Sequence, residues 1–405
     1  MKIPPPQFIS ILLVLFPIFL FGQQKEQTQS ASVEQTNLLL VEGGTFNMGQ
    51  GVDEDIVRRV TVSSFYAAAT QVTNKEYREY TDYLDATRVM GSVGMRPDTT
   101  IWVRCVDTSI ATQLTKDYFR LPAFDYYPVV GVSWVQATEF VRWRSDRRNE
   151  KLAIKSGYWT ADLQEKYSFS TSKFLAGDYH KKEGKELPKD FKGIYFNYRL
   201  LSEAEWELAA WALIGKREFT DEGLVSNQVY KPLATEGKER HHKTAVNKYR
   251  KLALRHVKKH PLPSYYDTKK YNLPSSVFEG EINAYGIYNL NNNVAEWVED
   301  WYQEIVKPIT TNPNKPAPNV QRGAADPTDR INTISQSKEE ILIRRKVKEA
   351  YPLLPPKVLK GASGMANKKS PGNRSSAESM GEYDRLIGFR CGMTVMELVE
   401  SINYK

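Results

Sequence analysis

The spacing of apolar and polar positions along the chain predicts three units in which an apolar run leads into a helix. Residues 58–68 alternate enough to form a strand, and residues 72–84 then carry apolar side chains on one helical face. Residues 127–132 are apolar and predict a buried strand, which leads into a second helix over residues 133–152. A third helix, which begins at Ser202, is predicted within residues 198–213.

Each predicted helix begins at a hydroxyl residue that is followed three positions later by Glu or Gln. That order is a capping box, in which the two side chains satisfy backbone N–H groups at the start of the helix. The three pairs are Thr73 with Glu76, Ser133 with Gln136, and Ser202 with Glu205.

Long irregular stretches separate these units. An apolar run punctuated by Gly43 and Gly44 predicts strand, turn and strand over residues 38–49. A doubly wound sheet requires a regular alternation of strands and helices, so the pattern argues against that fold. The chain has 405 residues, of which 12% are aromatic. We therefore expect an aromatic core that holds long loops.

The first residues have the order of a targeting segment. Lys2 precedes an apolar run that ends before the small residue Gly22, which predicts a secretory signal peptide over residues 1–22. No cysteine follows the run, so we expect no lipoprotein processing. A flexible polar leader over residues 23–37 and a folded domain over residues 38–397 are expected to follow. The mature protein should then be exported to the periplasm, either soluble or peripheral to a membrane.

Positive charge is concentrated in two predicted insertions. The net charge is +8, and residues 231–270 alone hold twelve Lys or Arg against three acids. The second insertion, near residues 303–356, ends in a basic, helix-prone run. Neither has the interleaved aromatics of a nucleic-acid reader, so no nucleic-acid partner is expected. Solvated helical insertions are the favoured interpretation, and a docking surface for an acidic protein or a lipid headgroup is the alternative.

Two pairs of reactive side chains leave alternatives open. His256 and His260 are four residues apart on a predicted helix and could share a metal ion, but no carboxylate is evident nearby, which favours surface histidines. The two cysteines are Cys105 and Cys391. A disulfide and two free buried thiols are equally compatible with an exported chain.

The sequence NLNNNVAEWVEDWY, residues 289–302, concentrates amide and acidic side chains beside two tryptophans. It fits a polar surface loop, a metal-binding loop or the edge of an active site. If the segment were helical, Trp297 and Trp301 would lie on one face, because they are four residues apart. Core packing is favoured for them over a stacking platform for a sugar.

Short motifs in this chain occur in the order found in formylglycine-generating-enzyme-like proteins, which carry the sulfatase-modifying-factor domain. The resemblance covers about Leu38 to Val395. It implies an α+β fold that is related to C-type lectins and has little regular secondary structure. The motifs are GGTFNMG, QVTNKEY, YPVVGVSW, YRLLSEAEWELAA, NAYGIYNLNNNVAEWVEDWY, KVLKGASG and IGFRCGM.

The resemblance also implies where catalytic thiolates would lie. Active members hold copper with two thiolates between the KGGS-type motif and the closing GFRC motif, and thiolates are what Cu(I) requires. The corresponding interval, residues 365–387, contains no cysteine. Counted from Lys360, the two positions are Pro371 and Ser376, and Cys391 matches a structural cysteine. We therefore expect no copper and no oxidase activity, with a catalyst built from relocated residues as the alternative.

The loop at residues 289–302 matches one that binds a structural Ca²⁺ in the family. Carried over, the ligands are the side chains of Asn289 and Glu296 and the carbonyl oxygens of Asn292 and Val294, and hard oxygen ligands of this kind suit Ca²⁺. Asn292 stands where the family usually has Gly, so we expect it in the left-handed conformation that Asn tolerates. The alternative is that these side chains only cap and hydrogen-bond the loop.

Within the family, residues 97–103, 118–134 and 143–150 resemble proteins K and J of the gliding-motility and type 9 secretion machinery of Bacteroidota. That resemblance implies a non-catalytic scaffold at the periplasmic face of the outer membrane. The implied partners are ring components of the secretion machinery, in homo- or hetero-oligomers. A glycan-binding or ligand-binding module is a further alternative.

Overall fold

The computed structural model describes most of the region after the predicted leader. All described residues belong to the unit Gln35–Lys405, and residues 1–34 lie outside the described residues. The predicted signal peptide and the insertion near residues 303–356 also lie outside. None of the described helices is long and apolar enough to cross a membrane. The described ranges are 37–49, 57–87, 92–106, 108–183, 194–212, 218–219, 225–226, 239–302, 357–361, 374–377 and 387–397.

Strands in the described ranges form two four-stranded sheets and two strand pairs. The first sheet consists of β1 (Leu38–Val41), β4 (Phe65–Ala68), β5 (Ile194–Leu200) and β12 (Cys391–Glu397). Its strands are antiparallel and lie in the order β1-β4-β12-β5. The second sheet consists of β8 (Ala295–Trp301), β9 (Lys357–Lys360), β10 (Arg374–Ala377) and β11 (Ile387–Phe389). Its strands lie in the order β10-β9-β8-β11, and within it β11 and β8 are the one parallel pair. The pairs are β2 (Gly44–Met48) with β3 (Arg58–Val62) and β6 (Glu218–Phe219) with β7 (Val225–Ser226).

Helices lie around these sheets and precede or follow them without regular alternation. The expected α+β class is therefore confirmed. The helices in the described ranges are α1 (Asn74–Ala86), α2 (Ile101–Cys105), α3 (Thr108–Asp117), α4 (Trp134–Lys155), α5 (Ala161–Lys166), α6 (Thr171–Leu175), α7 (Asp178–Lys182), α8 (Glu203–Trp211) and α9 (Glu239–Lys259). Residues 260–294 contain neither helix nor strand, which agrees with the low content of regular secondary structure that we expected.

All three predicted capping boxes are confirmed. They start α1, α4 and α8, and in each the hydroxyl accepts from the backbone of the third residue while that residue's side chain accepts from the cap. The third helix begins after its predicted cap, Ser202, and residues 198–200 before it belong to β5. Ser202 has extended backbone angles, with φ −68° and ψ 160°, so the strand conformation continues up to the cap.

The predicted strand over residues 127–132 is wrong. The segment is buried, but it forms only an isolated bridge between Pro128 and Thr73. Proline has no N–H to donate to a ladder, and Gly131 has a φ of 75°, which turns the chain out of the extended conformation. Its backbone groups form individual hydrogen bonds instead of a strand ladder. The Val129 N–H, for example, donates to the Val72 carbonyl at 2.9 Å.

The main hydrophobic core joins the two sheets and includes one face of α9. Val246 and Ala253 of this helix are buried, and Tyr249 packs against the same cluster. The interpretation of residues 231–270 as a purely solvated insertion is therefore wrong for this inner face. Core members from the strands and α8 include Leu39, Val41, Phe46, Phe65, Trp206, Leu208, Val298 and Val358.

We predict that Ser133→Ala lowers the free energy of unfolding by about 1 kcal/mol, because the backbone N–H of Gln136 loses its acceptor. Ser170→Ala is the matched control, since Ser170 precedes α6 without any side-chain cap hydrogen bond. Chemical denaturation of both variants measures the difference. Equal losses in the two variants would contradict the capping role of Ser133.

Candidate functional site

A buried ion pair lies where the two sheets meet. The parallel register places Gly388 of β11 opposite Glu296 of β8, and Arg390 follows at the junction with β12. The Arg390 Nε donates to Glu296 Oε2 at 2.8 Å and its Nη2 donates to Oε1 at 2.7 Å, so the contact is bidentate. The side chains are 1% and 0% exposed. The pair is therefore shielded from water on all sides.

The remaining donors of Arg390 connect separate parts of the fold. Its Nη1 donates to the carbonyl of Ala68 at the end of β4, and its Nη2 donates to the carbonyl of Tyr288, both at 2.8 Å. One guanidinium therefore holds the first sheet, the second sheet and the segment that leads into the asparagine-rich loop.

Two more donors complete the coordination of the Glu296 carboxylate. The indole Nε1 of Trp206 donates to Oε2 at 2.8 Å, and the side-chain Nε2 of Gln71 donates to Oε1 at 2.9 Å. Each carboxylate oxygen thus accepts one hydrogen bond from Arg390 and one from a neutral group. A charge in this position is stable because it is both paired and fully hydrogen-bonded.

The asparagine-rich loop takes its shape from two left-handed residues. Asn289 has a φ of 58° and Asn293 a φ of 72°. Asn292, which was expected to take that conformation, does not, so the expectation was wrong. Asn293 holds its turn because its Oδ1 accepts from Ser275 N–H at 2.9 Å and its Nδ2 donates to the Ser275 carbonyl at 3.2 Å.

A side-chain amide faces two of the oxygens nominated for calcium, the carbonyl of Val294 and the carboxylate of Glu296. The Nε2 of Gln71 lies 3.4 Å from the carbonyl oxygen of Asn289 and 3.3 Å from that of Val294, in addition to its bond with Glu296. A hydrogen-bond donor thus faces three of the oxygens that line this position. In the part of the chain that the structure describes, no group of three or more His, Cys, Asp or Glu could hold a metal ion.

The side chains of Asn289 and Asn292 point elsewhere. A Cβ on Gly280 would lie 2.3 Å from the Oδ1 of Asn289 and 3.4 Å from the Nδ2 of Asn292, so both amides flank this glycine. The Asn289 Nδ2 donates to the Val277 carbonyl at 3.1 Å. Among the described residues, the Oδ1 atoms of Asn289 and Asn292 have no hydrogen-bond partner. The side-chain ligand expected from Asn289 is therefore not directed at Gln71.

A second buried ion pair was not anticipated from the sequence. The Lys360 Nζ lies 2.9 Å from Glu207 Oε2 and 3.8 Å from Glu203 Oε1. The other oxygen of Glu207 accepts from the Gly49 backbone at 2.6 Å. The only sequence signal was the spacing of Glu203 and Glu207 on one face of α8, and their lysine comes from β9, more than 150 residues later.

Trp297 and Trp301 lie on a strand, β8, and not on a helix. Trp297 is buried and donates to the Val132 carbonyl at 2.9 Å, which confirms core packing for it. The Lys357 Nζ lies 3.4 Å from the ring centroid of Trp301 and 3.8 Å from that of Trp134. The ring faces directed at this ammonium are covered, which leaves no support for a sugar platform there. Burial lowers the pKa of Lys357 to about 8.

Cys391 is a free, fully buried thiol, so the disulfide alternative is not realised. Burial raises its pKa to about 11, and the nearest donor is Arg144, whose Nη1 lies 3.7 Å from the sulfur. Because the thiolate is the reactive form of cysteine, this side chain is suited to packing rather than to redox chemistry.

His256 has a carboxylate partner, contrary to the sequence-based expectation. Its Nε2 lies 2.9 Å from Asp125 Oδ2 and 3.0 Å from the Pro122 carbonyl, and its ring centroid lies 4.6 Å from that of His260. The other oxygen of Asp125 accepts from Arg78. A guanidinium at this carboxylate disfavours a metal ion in the same place, so the histidines connect α9 to the domain.

The model of the sulfatase-modifying factor enzyme 1-like domain matches residues 23–395. The chain belongs to this family. Similar solved structures include PvdO from Pseudomonas aeruginosa (18% identity, 88% of this chain and 93% of that chain, TM-score 0.38). A variable protein 1 of Treponema denticola (20%, 88% and 94%, 0.37) and CarF (16%, 88% and 97%, 0.38) are also similar. No curated protein matches the chain.

Of the two positions at which active members of the family carry thiolates, the structure describes one. Ser376 lies in β10, opposite Val358 of β9. Pro371 lies outside the described residues. A serine hydroxyl, as at Ser376, is a poor ligand for Cu(I).

We predict that Glu296→Gln lowers the free energy of unfolding by about 3–5 kcal/mol, because it leaves Arg390 as a buried, unpaired charge. Arg390→Met should cost a similar amount for the opposite reason. The double variant should be markedly more stable than the sum of the two losses implies, since it leaves neither charge unpaired. Denaturant unfolding of the three variants measures the coupling, and strictly additive losses would contradict it.

We predict that Lys357 makes stability rise with pH between about 8 and its ordinary pKa of 10.5. In this window the unfolded chain still binds the proton that the folded chain has lost, so deprotonation favours the folded state. Below about pH 8 both states are protonated and the cost of burying the charge is fully present. Lys357→Met should remove this rise, whereas the exposed-site variant Lys151→Met should retain it, in thermal melts at stepped pH.

Proposed function

We propose that this chain is a non-catalytic member of its family that works by protein contact. The observation that carries the proposal is the state of its reactive groups. Cys391 is buried with a pKa raised by that burial, and the carboxylates of Glu296 and Glu207 are held by Arg390 and Lys360. Groups that are already paired and buried serve structure and are not poised to react with a substrate.

The cellular setting that we propose is the type 9 secretion and gliding-motility machinery, at the periplasmic face of the outer membrane. Its support is the resemblance of residues 97–103, 118–134 and 143–150 to proteins of that machinery. The first two of these segments supply much of one aromatic cluster of the domain. The cluster includes Ile101, Trp102, Tyr118, Phe124, Tyr127 and Val130.

The outer face of α9 supports a role in binding an acidic partner. Within residues 247–259, the exposed charged side chains are all basic. Leu252 and Leu254 lie among them with 47% and 52% exposure. A helix face of one charge sign, with apolar residues inside it, fits an acidic protein surface that carries an apolar patch. The basic residues are Lys248, Arg250, Lys251, Arg255, Lys258 and Lys259.

We predict that ring components of the secretion machinery co-purify with the full-length chain from the native envelope. Reversing Lys251, Arg255 and Lys258 to Glu should reduce their recovery at least tenfold, about 1.4 kcal/mol or more of binding free energy. The control reverses Lys116, Lys151 and Lys155, which are exposed elsewhere and give the same change in net charge.

Three outcomes bear against the proposal. Equal loss in the control would show only non-specific charge attraction. Intact secretion and gliding after deletion of the chain would remove the proposed setting. Conversion of a cysteine-containing peptide by the purified, copper-supplied chain would establish an oxidase instead.

A further inference from the structure

Gln71 occupies the centre of the polar loop that was expected to hold a cation. It is fully buried and lies shortly after the end of β4, beyond Ala69 and Thr70. Its Nε2 lies 2.9 Å from Glu296 Oε1, 3.3 Å from the Val294 carbonyl and 3.4 Å from the Asn289 carbonyl. The two hydrogens of this amide thus face three oxygen atoms, with a short contact to Glu296 and longer contacts to the two carbonyls. Elsewhere such a convergence of oxygens is what a hard cation binds.

The orientation of the Gln71 amide is fixed by its neighbours. Its Oε1 accepts from the Nδ2 of Asn293 at 3.0 Å. That Nδ2 cannot be exchanged with the Oδ1 of the same residue, because Ser275 presents its N–H to one and its carbonyl to the other. The chain from Ser275 through Asn293 therefore directs the NH₂ of Gln71, and not its oxygen, toward the carbonyls.

The charges around Gln71 balance without a metal ion. Glu296 carries one negative charge, and the bidentate contact with Arg390 neutralises it. The other groups that contact this centre are neutral: Trp206, Asn293 and two backbone carbonyls. A divalent cation here would add two positive charges to a buried site, and the described groups that hydrogen-bond at this site include no unpaired carboxylate to offset them.

We propose that Gln71 replaces a divalent cation in this chain, and that an amide rather than a carboxylate at position 71 decides whether the loop binds one. A glutamate there would put a second carboxylate about 3 Å from Glu296, with one guanidinium between two charges. That arrangement requires a proton or a cation. The loop would then offer the two carboxylates and the carbonyls of Asn289 and Val294 as oxygen ligands. The inference is independent of the proposed function.

The test compares the full-length chain with Gln71→Glu and Gln71→Met, each with EDTA and with about 1 mM CaCl₂, a range in which exported calcium modules saturate. Thermal melts and calorimetric titration with CaCl₂ are the readouts. The wild-type chain should neither bind calcium nor shift its Tm. Gln71→Glu should have a lower Tm in EDTA, and calcium should raise it by about 3 °C or more. Gln71→Met should have a lower Tm with no calcium response.

Each departure from these results overturns a defined part of the proposal. Calcium binding by the wild-type chain would show that the amide moves aside and does not replace the ion. This outcome is measurable even if the variants fail to fold. A folded Gln71→Glu chain without a calcium response would show that the residue at position 71 does not determine whether the loop binds calcium. A calcium response in Gln71→Met would show that no second carboxylate is needed.

Discussion

The buried contact between Glu296 and Arg390 is the constraint on which the rest of the structure depends. Either charge alone would be unstable in an interior from which water is excluded. The contact fixes the register of β8 beside β11, and the other guanidinium nitrogens fix the end of β4 and the carbonyl of Tyr288. Both sheets and the asparagine-rich loop are therefore positioned by one side chain. The ion pair therefore holds distant parts of the chain together.

Structural features that depend on residues close together in the sequence could be predicted from it. The three capping boxes involve residues three positions apart, and all three formed. The strand predicted over residues 127–132 failed although its apolar pattern was clear, because Pro128 and Gly131 interrupt a ladder that the pattern alone does not report. Burial was thus predictable there, and backbone geometry was not.

The contacts at the site could not be predicted from the sequence, because they join residues that are far apart along the chain. Gln71 and Glu296 are 225 residues apart, and Lys360 and Glu207 are 153 apart. Family resemblance indicated which loop to examine and which residues could be ligands. It did not indicate that a side chain from the QVTN motif would fill the centre of that loop. His256 was likewise judged to lack a carboxylate because Asp125, its partner, lies 131 positions earlier in the chain.

The position of Arg390 in the chain has a consequence for folding. Its partners Ala68, Tyr288 and Glu296 are all made earlier, by as many as 322 residues. Until Arg390 arrives, Glu296 has no counter-charge, and the two sheets lack their shared contact. Contacts of such long range make folding slow. A chain that lacked Arg390 would leave Glu296 without its counter-charge. The domain therefore gains this contact only after nearly all of its other described strands have been made.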